Sequence, residues 1–537
     1  MIRKLLVANR GEIALRIFRA CRELGIATVA VVAPNDTGSL HARSADETTE
    51  VASYLFSEEH IRAAKRVGAD AIHPGYGFLA ENPDFAEAVN AAELTWVGPS
   101  PEALRAAGDK LEAKRIAREA RVAVVPDGDP EEIGFPLLVK AAAGGGGRGM
   151  RVVRTPDELE QALAAARREA KAAFGDDTVF CERYVERPRH VEIQLLGDGD
   201  GTVVSLGERE CSIQRRHQKV LEESPSPALD AALRGEMSEA AVSFGRAIGY
   251  ANAGTAEFML DGREFFFLEL NGRIQVEHPV TELVTGVDLV QAQLRIAAGE
   301  PLAVRPDPRG HAVEVRLYAE DPRTFFPQAG RFERLRFPAD LRVDSGVEQG
   351  DEVGLAYDPM IAKLIAHGDT RAEAFERLAA ALGETDVDGV TTNLPFLRWL
   401  VTHPTVRAGE TTTAFLTEHP PLSLPPLRAP DAPWRGPFRL NLPPPAPAPA
   451  PDVDAAAAEP HGHGTEQSTV TAPMPGTVIR LLVSPGDAVK ARQPLVVLEA
   501  MKMETPLSSP YDAVVRAINV AEGDRVAGGA VLVELED

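Results

Sequence analysis

Two carboxylates and an amide, Glu257, Glu269 and Asn271, offer a set of hard oxygen donors. They fall in Gly254-Thr255-Ala256-Glu257-Phe258 and Phe265-Phe266-Phe267-Leu268-Glu269-Leu270-Asn271, each expected at the end of a strand. Such donors suit Mg2+, which in turn bridges nucleotide phosphates. The alternative is a pair of exposed edge charges, but three phenylalanines before Glu269 imply a buried strand, where an unpaired carboxylate is costly. Arg273-Ile274-Gln275-Val276-Glu277-His278-Pro279 follows at once. Its arginine and glutamate either form a structural salt bridge or place an anion-binding cation beside a general base. Cys211-Ser212-Ile213-Gln214-Arg215-Arg216-His217-Gln218-Lys219 concentrates basic and amide groups. A nucleic-acid patch would interleave aromatic residues, so an anion pocket fits better. Lys140 opens a run through Gly144-Gly145-Gly146-Gly147-Arg148-Gly149. Successive glycines let backbone N–H groups reach phosphate oxygens, and Lys140 and Arg148 add charge. The run is no Walker loop, and a flexible hairpin loop explains it equally well.

A different chemistry attaches to Lys502, set between two methionines in Glu499-Ala500-Met501-Lys502-Met503-Glu504. Around it runs an internal repeat: Val478, Leu481, Val483, Gly486, Asp487, Val489, Leu495 and Leu498 recur as Val515, Ile518, Val520, Gly523, Asp524, Val526, Leu532 and Leu535. Short alternating strands around a Gly-Asp turn, twice, predict a flattened β-barrel with quasi-two-fold symmetry. Lys502 then lies near a hairpin tip, far from the core. A lone surface lysine is ordinarily a solvated charge; the symmetric setting reverses that reading.

The elements that must position these groups are legible in outline. Residues 4–8 read as a buried strand, 12–24 as a helix with Ile13, Ile17, Ala20 and Leu24 on one face, and 27–32 and 69–73 as further strands. This βαβ pattern predicts a parallel, Rossmann-like domain over residues 1–108. No Gly-x-Gly-x-x-Gly follows the first strand, so dinucleotide binding is not indicated. Residues 109–308 read as mixed α+β, and 310–419 as strands with an amphipathic helix near 372–382. Residues 420–468 are rich in proline and alanine, an extended linker able to span on the order of 100 Å at ~3.1 Å per residue. His461 and His463 within it read as a solvated tail rather than a metal site. A compact domain over 469–537 follows.

Several function classes are excluded. The net charge of -23 argues against nucleic acid and against an anionic membrane surface as partners. Cys21, Cys181 and Cys211 are too few and scattered for a disulfide framework or a zinc site, which fits idle thiols in a reducing cytoplasm. The short apolar run after Arg3-Lys4 reads as a strand, not a signal segment, and no stretch approaches the ~20 apolar residues of a membrane span.

Taken in order, 4–14, His73-Pro74-Gly75-Tyr76-Gly77-Phe78, the glycine run, 186–194, 209–220, 271–282, 311–321 and 357–364 resemble the motifs of biotin carboxylase, a member of the ATP-grasp superfamily. Ala500-Met501-Lys502-Met503 resembles the hallmark of biotinyl domains, where lipoyl domains carry Asp-Lys-Ala. The resemblance covers nearly everything but the linker. It implies a Rossmann-like N-terminal domain, a central ATP-grasp domain, a C-terminal biotin carboxylase domain, a flexible linker and an all-β biotinyl domain. Biotin would be amide-linked to Lys502. Lys110, Lys140, Gly146 and Gly147 would bind ATP phosphates, with Glu182, Val185 and His190 near the nucleoside. Gln214, His217 and Lys219 would face ATP and bicarbonate. Glu257, Glu269 and Asn271 would hold Mg2+ or Mn2+. Arg273, Gln275 and Val276 would hold bicarbonate, Glu277 would deprotonate it, and Arg316 would stabilise the biotin enolate.

The implied reaction is ATP-dependent carboxylation of biotin through carboxyphosphate, in the cytoplasm. No segment is left for a carboxyltransferase. The resemblance is therefore to the α subunit of a bacterial acetyl- or propionyl-CoA carboxylase, partnered by a separate carboxyltransferase β subunit, served by a biotin–protein ligase, and homo-oligomeric within a larger complex. A two-subunit pyruvate carboxylase, a non-catalytic carrier subunit and an ATP-grasp ligase fused to a lipoyl-like carrier are the rivals. Three departures stand out: Ala142 in the glycine run, Gly272 where threonine or proline is usual, expected to loosen the Arg273 loop, and a shortened segment between Val51 and His60.

Overall fold

The computed structural model describes residues 2–141, 150–174, 176–215, 218–304, 306–421, 469–472, 476–490, 493–500, 503–526 and 530–536. Gly146, Gly147, Ala142, His217, Lys502, His461, His463 and nearly all of the expected linker lie outside them.

Alternation in the first strand sets the N-terminal layer. In β1 (Lys4–Val7), Leu5 and Val7 face one core with Ile13 and Ile17 of α1 (Gly11–Glu23), while Leu6 faces the other with Ala63 and Phe85. Burial on both faces produces the continuous apolar run seen in the sequence. β2 (Ala27–Val32), β3 (Glu47–Glu50), β4 (Ala71–His73) and β5 (Thr95–Trp96) complete a parallel sheet in the order β3-β2-β1-β4-β5, a Rossmann-like arrangement. The expected strands and helix are present, with ends displaced by one or two residues.

A smaller antiparallel sheet follows, with β6 (Leu137–Ala141) between β7 (Arg151–Val153) and β8 (Val179–Arg183). Ala166, on the helix Leu159–Phe174, closes its core against Leu137, Val139 and Val153. The glycine run falls between β6 and β7.

The largest sheet has eight strands. Its order is β13 (Glu264–Asn271), β12 (Ala251–Asp261), β9 (Arg189–Asp198), β10 (Val203–Arg215), β11 (Gln218–Ser224), β14 (His311–Tyr318), then Met360–Gly368 and Arg342–Ser345. Period-two patterning gives it an apolar face and a polar face. Val191, Ile193 and Leu195 of β9 pack with Leu233, Met237 and Phe244 of the helix Ala231–Ala247. Val313, Val315 and Leu317 of β14 pack with Phe375 and Leu378 of the helix Arg371–Glu384. Each such fully buried side chain stabilises the fold by about 1.5–3 kcal/mol. The intervening residues, His190, Glu192 and Gln194 on β9 and Glu314 and Arg316 on β14, therefore lie on the opposite side. β14 pairs with β11, so the C-terminal strands extend the same sheet as the central ones.

The last domain is all-β, two four-stranded sheets around one core. Its two-fold character is visible in reciprocal bonds. Gly486 N–H donates to the Val515 carbonyl and Gly523 N–H to the Val478 carbonyl, both at 2.7 Å. Val515 N–H donates to the Asp487 carbonyl and Val478 N–H to the Asp524 carbonyl, both at 2.9 Å. The turn glycines have φ of +92° and +94°, a left-handed conformation that side chains with a Cβ resist. The strands Pro494–Ala500 and Met503–Ser508 pair with Ala500 opposite Met503, leaving only 501 and 502 between them. No helix among the described residues is long and apolar enough to cross a membrane.

Candidate active site

Strand register lines up the site. Glu269 on β13 lies opposite Glu257 on β12, Glu257 opposite Glu192 on β9, and Glu192 opposite Arg209 on β10. Three carboxylates side by side repel one another unless cations intervene. Lys219 of β11 supplies one: its ammonium lies 2.5 Å from Glu192, 2.9 Å from Glu257, 2.6 Å from Glu277 and 3.2 Å from the Gln275 carbonyl oxygen of the side chain. Arg209, fully buried, donates to Glu192 at 2.5 Å, to Gln194 at 2.6 Å and to Thr255 and Thr281 at 2.9 Å. His190 sits 3.0 Å from the second oxygen of Glu257. Gln275 also donates to Glu257 at 3.0 Å.

A further cation is Arg316 on β14. Its guanidinium lies 2.5 Å from Glu222 and 3.0 Å from the other oxygen of Glu277. Glu277 is thus held between Lys219 and Arg316, at the residue that opens the helix His278–Thr285. Burial pushes its carboxyl up, but Lys219, then Arg316 and Arg209, hold it well below the ordinary carboxylate range. Glu257 is likewise held low against burial, by Lys219 and then His190. Burial is the first cause that pushes Glu222 up, to about 7, with Arg316 opposing and Glu277 adding to it.

Glu269 titrates in the opposite direction to Glu257. Burial, then the charge of Glu257, push its carboxyl up, with Lys110 opposing. Two facing carboxylates, one of them strained toward its neutral form, are the environment a hard divalent cation relieves. Asn271 is buried at the end of the same strand, opposite Thr255, with its side-chain oxygen already accepting from Arg273 at 3.0 Å. This donor set fits Mg2+. One expectation is corrected: Glu257 lies inside β12, at a register shift between Glu257 and Phe258, and not at the strand's end. The extra residue at that shift, Leu268, lies on β13, so the bulge re-aims Glu269, while Glu257 follows the unbroken alternation of β12 opposite Glu192.

Lys110 and Lys140 converge beside Glu182. Lys140 pairs with Glu182 at 2.5 Å, and Lys114 pairs with the same carboxylate. Burial, then Glu269 opposing and Lys140 adding, leave the Lys110 ammonium below its ordinary value. Glu182 is itself held low against burial by Lys140 and Lys114. Val185 is buried nearby in sequence, after β8. Gln214 donates to the Cys211 carbonyl at 2.9 Å.

Arg273 does not pair with Glu277. It reaches Glu81 of the N-terminal layer at 3.1 Å. The loop before it is not loosened by Gly272 for want of packing: a Cβ there would meet Leu104 at 2.7 Å, so Leu104 already fills that space. The structure brings Lys219, Gln275, Glu277, Arg316, Glu257 and His190 together, with Glu269 and Asn271 at one end. It adds Glu192, Arg209 and Glu222, none of which the motif reading singled out. The signal was present in β9, where His190, Glu192 and Gln194 alternate with Val191, Ile193 and Leu195.

Comparison with known proteins follows the same division. Residues 1–104 match the biotin carboxylase N-terminal domain, 109–305 the carbamoyl-phosphate synthase L chain ATP-binding domain, 314–418 the biotin carboxylase C-terminal domain and 468–535 the biotin-requiring enzyme family. The chain is similar to the propionyl-CoA carboxylase alpha chain of Ruegeria pomeroyi, 46% identical over 466 residues, covering 78% of this chain and 68% of that one. It is 47% identical over 443 residues to the biotin carboxylase of Halalkalibacterium halodurans, covering 78% of this chain and 98% of the relative. Among solved structures it resembles the biotin carboxylase domain of Hydrogenobacter thermophilus 2-oxoglutarate carboxylase, in complex with MgADP, ADP and bicarbonate, at a TM-score of 0.75 and 42% identity over 78% of this chain and 98% of that one.

Proposed function

The chain belongs to the biotin carboxylase family, and from that premise we propose that it carboxylates biotin carried on its own Lys502, for a bacterial acetyl- or propionyl-CoA carboxylase. Its chemistry is ATP- and bicarbonate-dependent carboxylation of biotin. The observation that carries the assignment of roles is the double grip on Glu277, one oxygen against Lys219 and the other against Arg316.

Arg273, Gln275 and the backbone of Val276 take bicarbonate. Glu277, ionised throughout the physiological range, accepts its proton. Lys219 weakens Glu277 as a base while it rests on it. An arriving anion competes for that ammonium and returns basicity to the carboxylate at the moment it is needed. The freed bicarbonate oxygen attacks the γ-phosphorus of ATP, and the bond to the ADP oxygen breaks. Positioning and charge neutralisation carry such a transfer. Lys110 and Lys140 approach the phosphates, with Gly146, Gly147, Gln214 and His217 completing the nucleotide site and Glu182, Val185 and His190 beside the nucleoside. Mg2+ held by Glu257, Glu269 and Asn271 would offset phosphate charge. The carboxyphosphate so formed breaks its bond between carbon and the bridging oxygen, giving CO2 and phosphate. Biotin, amide-linked to Lys502, would supply the ureido nitrogen that takes up the CO2, its proton passing to that phosphate. Arg316 holds a cation ready for negative charge developing on oxygen in the same pocket.

The domains divide at 1–108, 109–308, 310–419, 420–468 and 469–537, the linker letting the last visit both the body and a carboxyltransferase on another chain. The alpha-chain designation of the Ruegeria relative supports that division of labour. The test is ADP release by the purified, Mg2+-replete chain with free biotin. It should require bicarbonate and fall by about 10²–10⁴ in Glu277→Gln, the usual worth of a general base. Turnover indifferent to bicarbonate would contradict the reading.

A further inference from the structure

Lys363, on the strand Met360–Gly368, is 0% exposed, and the reaction described above gives it no part. Its ammonium donates to the main-chain carbonyl of Val276 at 2.9 Å. It lies 3.2 Å from Glu12 of α1 and 3.9 Å from Asp344. Glu12 also accepts from the Tyr76 hydroxyl. Asp344 is held separately by Arg342 at 2.9 Å and Arg19 at 3.3 Å. One side chain thus touches the N-terminal layer, the bicarbonate-side loop and the C-terminal strands.

A buried ion pair that served stability alone could be exchanged for apolar residues at little cost. Lys363 is different, because its shortest contact is a backbone oxygen between Gln275 and Glu277. The Gln275 carbonyl is fixed by His278 at 2.8 Å, and Lys219 holds the side chains of Gln275 and Glu277 from the other side. The Val276 carbonyl is fixed by Lys363. Directly across the sheet, Lys363 faces Arg316, the other cation on Glu277.

We infer that Lys363 is a positioning residue for bicarbonate: it anchors the Val276 peptide, so that the loop Arg273 to Glu277 takes its working geometry only when all three layers are assembled. The inference rests on the proposal that this loop binds bicarbonate.

Steady-state ADP release by the full-length chain tests it, with bicarbonate and ATP varied separately. Lys363→Met should still fold, since Asp344 keeps Arg342 and Glu12 keeps Tyr76, with burial holding the Glu12 carboxyl toward its neutral form. KM for bicarbonate should rise by about tenfold to a hundredfold, the worth of a hydrogen bond from a charged donor, with KM for ATP unchanged. Lys363→Gln retains an N–H for the carbonyl and should raise it less; it decides the matter if the methionine variant does not fold. KM values for bicarbonate and ATP that move together, or bicarbonate KM unmoved, would overturn the inference. Glu277→Gln, run alongside, separates the two levels: full bicarbonate-dependent turnover in that variant would overturn the loop assignment itself and the inference with it.

Discussion

Across the body's large sheet, Glu269, Glu257, Glu192 and Arg209 lie side by side on four strands, facing inward. In the last domain the core is built from apolar side chains, among them Val478, Leu498, Val515, Leu532 and Leu535. The body places its chemistry inside, where low dielectric strengthens each contact and each unpaired charge is costly. It therefore needs a dense network of basic groups, Arg209 on β10, Lys219 on β11 and His190 on β9, to hold the row of carboxylates. The small domain keeps its core for stability alone, and the lysine proposed to carry biotin falls in the sequence between the paired residues Ala500 and Met503. A fixed site must be over-determined, whereas a carrier need only hold its shape and present one group. Substitutions in the two regions should therefore fail in different ways.

The largest effect is expected at the carrier. Lys502→Ala should abolish detection of the chain by streptavidin in cells with a working biotin–protein ligase; a retained signal would place the prosthetic group elsewhere. In the body, Glu269→Gln should raise the Mg2+ concentration for half-maximal ADP release by about tenfold or more, because it removes the negative charge of a donor to the ion itself and not merely an outer partner. An unchanged Mg2+ requirement would remove Glu269 from the metal site. Leu532→Ala, in the carrier core, should lower that domain's stability by about 2–5 kcal/mol through lost burial and a cavity. Calorimetry should then show the carrier transition moving while the body transition stays in place.

The smallest effect concerns Glu314, which is buried and has no hydrogen-bond partner among the described residues. Burial pushes its carboxyl well above the ordinary 4.5, against Lys363 and together with Glu222. The unfolded chain therefore sheds this proton first as pH rises, and the folded form loses stability from about pH 4.5 upward. Glu314→Met should remove that loss, so its stability advantage should be greater at pH 8 than at pH 5 by about 1 kcal/mol or more. Equal advantages at both pH values would mean that Glu314 ionises normally.

Three strands of the parallel N-terminal sheet, β1, β2 and β4, were legible because they are short apolar runs buried on both faces, whereas β3, Glu-Thr-Thr-Glu and mostly exposed, carries no such signal. The carrier was legible because its repeat is written twice, down to Gly486 and Gly523. Glu269 and Asn271 stood out as polar residues after three successive phenylalanines, and Glu257 as a carboxylate within a largely apolar strand. What remained hidden depends on register between strands far apart in sequence. Nothing near Arg273 predicts Glu81 as its partner, and nothing near Val276 predicts Lys363. The bulges that aim Glu269 and Lys219 show only in the pairing of one strand with the next, not within a motif. Glu192 was within reach, since a strand alternating His190, Glu192 and Gln194 with apolar residues declares a polar inner face.

The central claim is that the body loads the chain's own arm, and labelled bicarbonate tests it most directly. With Mg2+ and ATP, the biotinylated full-length chain should acquire acid-labile label that travels with the protein, and should lose it in Glu277→Gln. Release of ADP by fully biotinylated chain, with all label remaining in solution, would contradict the account.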